Sequence, residues 1–120
     1  MIDSDNYSTP NWIIEIFKGW YDPCPLNQDY EIDGLKLDWE LRNYVNPPYS
    51  NPLPWVLKAI EEQNKGKTTA LLLKLDCSTK WYRALQEADA HFLFINERVK
   101  FNGKAPPFPN MIAILEGCKI

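Results

Sequence analysis

Asn46-Pro47-Pro48-Tyr49-Ser50 is the stretch of this 120-residue chain best equipped for chemistry. Two consecutive prolines each hold φ at about −65° and remove an N–H, so the turn is rigid and its carbonyls lack neighbouring donors. An amide side chain beside such carbonyls makes a pair of hydrogen-bond acceptors, and Tyr49 adds a flat stacking face. Two further turns carry unusual residues: Asp22-Pro23-Cys24-Pro25 and Asp76-Cys77-Ser78-Thr79. Each follows a short extended or apolar run. In open α/β sheets, ligands bind beyond the carboxyl ends of the strands, so parallel strands would bring all three turns to one rim. Taken alone, Asn-Pro-Pro-Tyr fits a plain Pro-rich strand-to-helix turn equally well.

The elements that must position these turns are legible from periodicity. Ser8-Thr9-Pro10 starts a helix by a hydroxyl cap and a first-turn proline. Trp12, Ile13, Ile16 and Phe17 carry it over residues 10–18, and Gly19 stops it. Gly19 to Tyr21 is a short strand into the Asp22 turn. Ile32 to Leu35 is a turn, and Arg42 to Val45 is a strand into Asn46. Ser50 or Asn51 caps the next helix, with Pro52 in its first turn. Leu53, Val56, Leu57 and Ile60 form its buried face, and Gly66 ends it. Thr68 to Leu75 is apolar on both faces, which predicts a central strand covered on both sides. Ser78 caps a helix running to about Ala88. Phe92 to Ile95 is a strand, Arg98 to Phe101 is extended, Asn102-Gly103 is a turn and Met111 to Leu115 is the last strand. Helices alternating with strands predict an α/β protein, mostly parallel, with an antiparallel C-terminal edge strand.

Composition bounds the rest. The length suits one compact domain, residues 1–120, with a real core at 45% hydrophobic residues. Cys24, Cys77 and Cys118 are too far apart for a zinc cluster or a disulfide framework and are read as small buried hydrophobes. The single His91 borders an apolar run and is read as structural, so no metal site is expected. No apolar run reaches the length of a membrane span, and Met1-Ile2-Asp3-Ser4-Asp5 is unlike a signal peptide. The expectation is a cytoplasmic protein without a membrane partner. The net charge of −3 argues against avid nucleic-acid binding by charge alone. It is unevenly spread: residues 1–50 sum to −6 and residues 51–120 to +3. An acidic half can receive a cationic small molecule, and a basic half can face phosphates, although solvated surface explains both halves as well.

Taken in order, Tyr7-Ser8-Thr9-Pro10, Asp22-Pro23-Cys24, Asp33-Gly34-Leu35, Asn46-Pro47-Pro48-Tyr49-Ser50, Ser78-Thr79-Lys80-Trp81, Arg98-Val99-Lys100-Phe101 and Ala105-Pro106-Pro107-Phe108-Pro109 resemble the phage (Dam-like) DNA N6-adenine methyltransferase family. The resemblance covers about Tyr7 to Leu115. It implies a trimmed Rossmann-like methyltransferase sheet, S-adenosylmethionine as cofactor and DNA, with a flipped adenine, as partner. It implies cofactor contacts from Tyr7, Thr9, Pro10, Asp22, Pro23, Cys24, Asp33, Gly34, Leu35 and Asn46. A sulfonium with a polar ribose suits an acidic pocket, where Asp22 and Asp33 are natural acceptors. It gives Asn46, Pro47, Pro48 and Tyr49 the catalytic role. The oxygen of Asn46 and the carbonyl of Pro47 would each accept one N6–H and turn the weak N6 lone pair toward the methyl group, while Tyr49 stacks on the base. Ser50, Lys80, Arg83, Arg98, Lys100 and Lys104 would meet the nucleic acid, by charge and position.

The chain departs from the wider superfamily in two ways. The turn after its first strand has no Gly-rich loop, and Pro25 to Ile32 is too short for a crossover helix. No separate target-recognition domain is evident, so specificity falls to short loops, a dimer partner or another protein, or is low. A methyltransferase for an RNA base or a protein glutamine, and an inactive binding relic, are the rival readings. A viral or prophage origin, with work in the host cytoplasm, is suggested by the family.

Overall fold

The computed structural model describes residues 11–25, 33–95 and 108–117. Its elements in chain order are α1 (Asn11–Ile16), β1 (Arg42–Val45), α2 (Leu53–Gln63), β2 (Thr68–Lys74), α3 (Lys80–Glu87), β3 (His91–Phe94) and β4 (Asn110–Leu115). The four strands form one sheet in the order β1-β2-β4-β3. β1 pairs with β2 in parallel, and β4 runs antiparallel to both β2 and β3. Three strands therefore point one way, and the chain is mixed α/β.

The antiparallel strand is not at the edge, as the alternation of elements had predicted. It lies inside the sheet between β2 and β3, so one pairing is parallel and two are antiparallel. Burial explains the placement. Met111 to Leu115 is apolar at every position and nearly all buried, which requires neighbours on both sides. β3 exposes Leu93 and Phe94 and carries His91, so it suits the edge that it forms among the described residues. The strand expected from Gly19 to Tyr21 shrinks to a single parallel bridge, Tyr21 to Asn43.

β2 carries the core, as its continuous apolar run predicts. Successive side chains of a strand point to opposite faces. Leu71 and Leu73 pack on one face with Val45, Val56, Trp81 and Leu85, under α2 and α3. Ala70 and Leu72 pack on the other with Ile13, Phe17, Tyr44 and Ile112, under α1. The helix faces differ slightly from the periodicity reading. Trp12 and Ile16 of α1 are exposed, and Leu57 of α2 points outward while Trp55, Val56 and Ala59 are buried. No side chain caps α2; Pro52 itself occupies the cap position. Thr79, not Ser78, caps α3, its hydroxyl accepting from the Tyr82 N–H at 3.2 Å. Cys77 is exposed and so is no core hydrophobe, whereas Cys24 is half-buried and packs against the core. His91 is exposed and lies 3.7 Å from Glu116.

The opposite rim of the sheet is pinned by a buried carboxylate. Glu62, 0% exposed at the end of α2, faces Lys67 at 2.8 Å, Lys58 at 3.0 Å and Lys65 at 3.5 Å. Burial pushes its pKa up, but hydrogen bonds from Lys67 and Lys58 and the charges of both outweigh this and hold it at about 2, against an ordinary 4.5. Asn43, equally buried in β1, ties the same rim together. Its amide donates to the carbonyls of Glu40 at 2.8 Å and Thr68 at 3.2 Å, and its oxygen accepts from the Glu40 N–H at 2.9 Å.

A carboxylate whose folded pKa lies below its unfolded one stabilises the protein above the unfolded pKa and loses that stabilisation as the pH falls through the folded one. Urea unfolding should therefore show Glu62 contributing fully above pH 4.5 and progressively less toward pH 2. Glu62→Gln should cost about 3 kcal/mol near neutral pH, by leaving two half-sheltered lysines without a counter-charge, and should flatten this acid dependence.

Candidate functional site

Because β1 and β2 are parallel, Asn46-Pro47-Pro48-Tyr49 and Asp76-Cys77-Ser78-Thr79 leave the sheet at the same rim. The Tyr21 bridge runs parallel to β1 as well. Its N–H donates to the Arg42 carbonyl at 3.0 Å, and its carbonyl accepts from the Tyr44 N–H at 2.8 Å. Asp22-Pro23-Cys24 thus departs in the direction of Asn46. The three turns converge as the sequence suggests. A fourth segment joins them: β4 runs the other way, so Phe108-Pro109-Asn110 enters the sheet at this rim, with Asn110 opposite Lys74.

The Asn46-Pro47-Pro48-Tyr49 turn is braced from both ends. The Asn51 N–H closes it on the Pro48 carbonyl at 3.2 Å. Pro47 is buried, Asn46, Pro48 and Tyr49 are half-buried, and Ser50 is exposed. Among the described residues no donor engages the Pro47 carbonyl. The Tyr49 hydroxyl accepts from Asn110 Nδ2 at 3.1 Å. Its ring meets that of Phe108 edge-on, 4.9 Å between centroids at 76°. Lys74 Nζ lies 5.4 Å from the Phe108 centroid and 3.6 Å from Asp76 Oδ2. Hydrogen bonds from the Ser78 hydroxyl and N–H, and the nearby Lys74 charge, hold Asp76 below the usual carboxylate range.

The two acidic turns expected at a cofactor form one wall. A Cβ on Gly34 would overlap the Pro23 carbonyl and come within 3.1 Å of the Trp55 ring, so only glycine permits this approach. The Asp33 side chain accepts from the Leu35 N–H at 3.0 Å, and the Gly34 carbonyl accepts from Trp39 Nε1 at 2.8 Å. Trp39 stacks on Trp55 at 6.4 Å and 21°. Asp22 accepts from the Cys24 N–H at 3.0 Å. Burial raises the Asp22 pKa, partly offset by that hydrogen bond. Burial, then the Asp22 charge, pushes the Cys24 thiol up to about 12, so it stays protonated and is no nucleophile at neutral pH.

Other expected residues are more scattered. Lys80 opens α3 just beyond the Asp76 turn and is exposed. Arg83, one turn further, lies 3.5 Å from Glu87. Tyr7, Thr9, Pro10, Arg98, Lys100 and Lys104 fall outside the described residues, as do Cys118 and the expected extended run Arg98 to Phe101. Among the described residues, no group of three His, Cys, Asp or Glu side chains could hold a metal, and no helix is long and apolar enough to cross a membrane. Sequence reasoning missed Asn110. Its one signal is a polar amide opening an otherwise apolar strand.

Comparison with known proteins places the chain among the methyltransferases. Residues 2–112 match the family model described as DNA N-6-adenine-methyltransferase (Dam), and the chain belongs to that family. It is 32% identical over 116 residues to the DNA N-6-adenine-methyltransferase of Haemophilus phage HP1 (strain HP1c1), covering 82% of this chain and 67% of that protein. It is 30% identical over 106 residues to the DNA N-6-adenine-methyltransferase of Escherichia phage T1, covering 76% of this chain and 44% of the relative. The chain thus spans about two thirds of the first relative and under half of the second. No solved structure matches it.

The two described cysteines should differ sharply in reactivity. At about pH 8, iodoacetamide should label Cys77 and spare Cys24. Asp22→Asn should lower the Cys24 pKa and speed its labelling, read by peptide mass spectrometry.

Proposed function

We propose that this family member methylates the N6 amino group of adenine in DNA with S-adenosylmethionine as donor, using Asn46-Pro47-Pro48-Tyr49 as its amino-group clamp. The observation that carries the reading is the Pro47 carbonyl. It sits on a proline-fixed turn at the shared rim, while its neighbour Pro48 is spent on closing the turn. It can accept one N6–H, and the Asn46 side-chain oxygen the other. Holding both hydrogens makes the nitrogen pyramidal and points its lone pair away from the acceptors. This is catalysis by orientation and electrostatics, and it needs no thiolate. The base must leave the helix to reach the turn, and Tyr49 gives it a face to stack on.

The residues present fit the donor. Asp22, an exposed acidic side chain beside Cys24, and the Asp33-Gly34-Leu35 turn packed on Pro23 would hold it, with Cys24 as an uncharged neighbour. When bound, S-adenosylmethionine supplies an electrophilic methyl group on sulfur. The family resemblance adds Tyr7, Thr9 and Pro10 to the cofactor contacts. Ser50, Lys80 and Arg83 are assigned to the DNA backbone, and by charge and sequence position so are Arg98, Lys100 and Lys104.

A sheet covered on both faces supports one methyltransferase domain over residues 1–120, built as a trimmed Rossmann-like unit. The phage relatives suggest work in the host cytoplasm, where host and phage DNA are replicated.

Unmethylated plasmid DNA incubated with protein and S-adenosylmethionine should yield N6-methyladenine by mass spectrometry. Asn46→Ala should reduce the yield about 100-fold or more while leaving the melting temperature unchanged. Full activity in that variant would refute the clamp. Methyl transfer to RNA or to protein glutamine instead of DNA would replace the substrate, and no donor binding at millimolar concentration would mark an inactive relic.

A further inference from the structure

We infer that Asn110 is a positioning residue for methyl transfer, fixing the plane on which Tyr49 presents its ring to the target base. The inference rests on the clamp reading above and adds to it a residue from the far end of the chain. Pro47 and Pro48 fix the backbone that leads to Tyr49 but leave its side-chain torsions free. The Tyr49 ring is instead held from across the sheet. Asn110, 0% exposed at the first position of β4, donates from Nδ2 to the Tyr49 hydroxyl at 3.1 Å and to the Leu73 carbonyl at 3.2 Å.

The orientation of the amide follows from its partners. The Leu73 carbonyl can only accept, so the amide nitrogen must face it. The second amide hydrogen then reaches the Tyr49 oxygen, which acts as the acceptor. Phe108, two residues earlier, meets the same ring edge-on at 4.9 Å. One short segment of β4 therefore grips Tyr49 at its tip and at its flank.

Asn110 is a costly way to fill this position. Its Oδ1 is buried with no hydrogen-bond partner among the described residues, and unsatisfied buried acceptors are rare and destabilising. An apolar side chain of similar size would avoid that burden and match the strand that follows, Met111 to Leu115. What the apolar residue could not do is donate to the Leu73 carbonyl and hold the phenol. A stacking surface that turns even slightly would misplace the base against the Asn46 and Pro47 acceptors, and such errors are expensive for a reaction governed by orientation.

The test measures steady-state methyl transfer to unmethylated plasmid DNA for the full chain and for Asn110→Leu, Tyr49→Phe, their double variant and Asn46→Ala. Asn110→Leu and Tyr49→Phe should each lower kcat about tenfold. The KM for S-adenosylmethionine should stay at the wild-type value in both; Tyr49→Phe should keep the melting temperature, while Asn110→Leu, which also strips the Leu73 carbonyl of its donor, should lower it. The double variant should be no slower than either single one, because both remove the same bond. Wild-type kcat in either single variant, or a double variant slowed by the product of the two, would overturn the inference. If Asn110→Leu fails to fold, Tyr49→Phe decides alone, because it removes the same bond and leaves the ring: a kcat lowered about tenfold at the wild-type melting temperature supports the inference and wild-type kcat overturns it. Loss of activity in Asn46→Ala together with unchanged Asn110→Leu would defeat the positioning role alone. Full activity in Asn46→Ala would defeat the clamp instead.

Discussion

A strand that is apolar on both faces must be covered on both. β2 imposes that condition, and most of the molecule answers to it. Ala70 and Leu72 bring α1 to one side, while Leu71 and Leu73 bring α2 and α3 to the other. Its edges are then taken by β1 in parallel and β4 in antiparallel. The first pairing gathers the carboxyl-end turns at one rim. The second delivers the start of β4 to the same place. The site is thus a by-product of how a hydrophobic strand is buried.

The two rims of the sheet are built from different materials. One is stitched by side-chain polar groups that are nearly all matched: Glu62 among its lysines, Asn43 between β1 and β2, and Gln63, whose amide donates to the carbonyls of Ala88 and Glu116, each at 3.1 Å. The other relies on prolines and ring contacts and keeps acceptors such as the Pro47 carbonyl and Asn110 Oδ1 without protein donors among the described residues. Matched polar groups hold a structure in place, and unmatched ones at a rim are available to a ligand or to work on a neighbour. The anchored rim lets the reactive one be incompletely satisfied.

What could be read from the sequence follows the range of the forces involved. β2 was legible because burial on two faces leaves an unbroken apolar run. The Asn46 turn was legible because Pro acts locally on φ and on the N–H. The place of β4 was misread although Met111 to Leu115 is as unbroken an apolar run as that of β2, because which strand edges remain for it to cover is decided by segments far away in the chain. Helix starts were off by small steps for local reasons. Ser78 spends its hydroxyl and N–H on Asp76, which leaves Thr79 to cap α3. Leu57 kept the helical period but lost its place inward to Trp55, whose large ring fills the space beside Trp39. Asn110 meets Tyr49 across 61 positions of sequence, beyond the reach of any local pattern.

The contact between Gly34 and Pro23 has a consequence for inheritance. Here the wall assigned to the cofactor is main chain against main chain, with no side chain interposed. A surface of that kind keeps its contour when the flanking residues drift, provided that one glycine stays. A chain of this family that keeps the glycine can differ widely around the wall and still inherit the same mould.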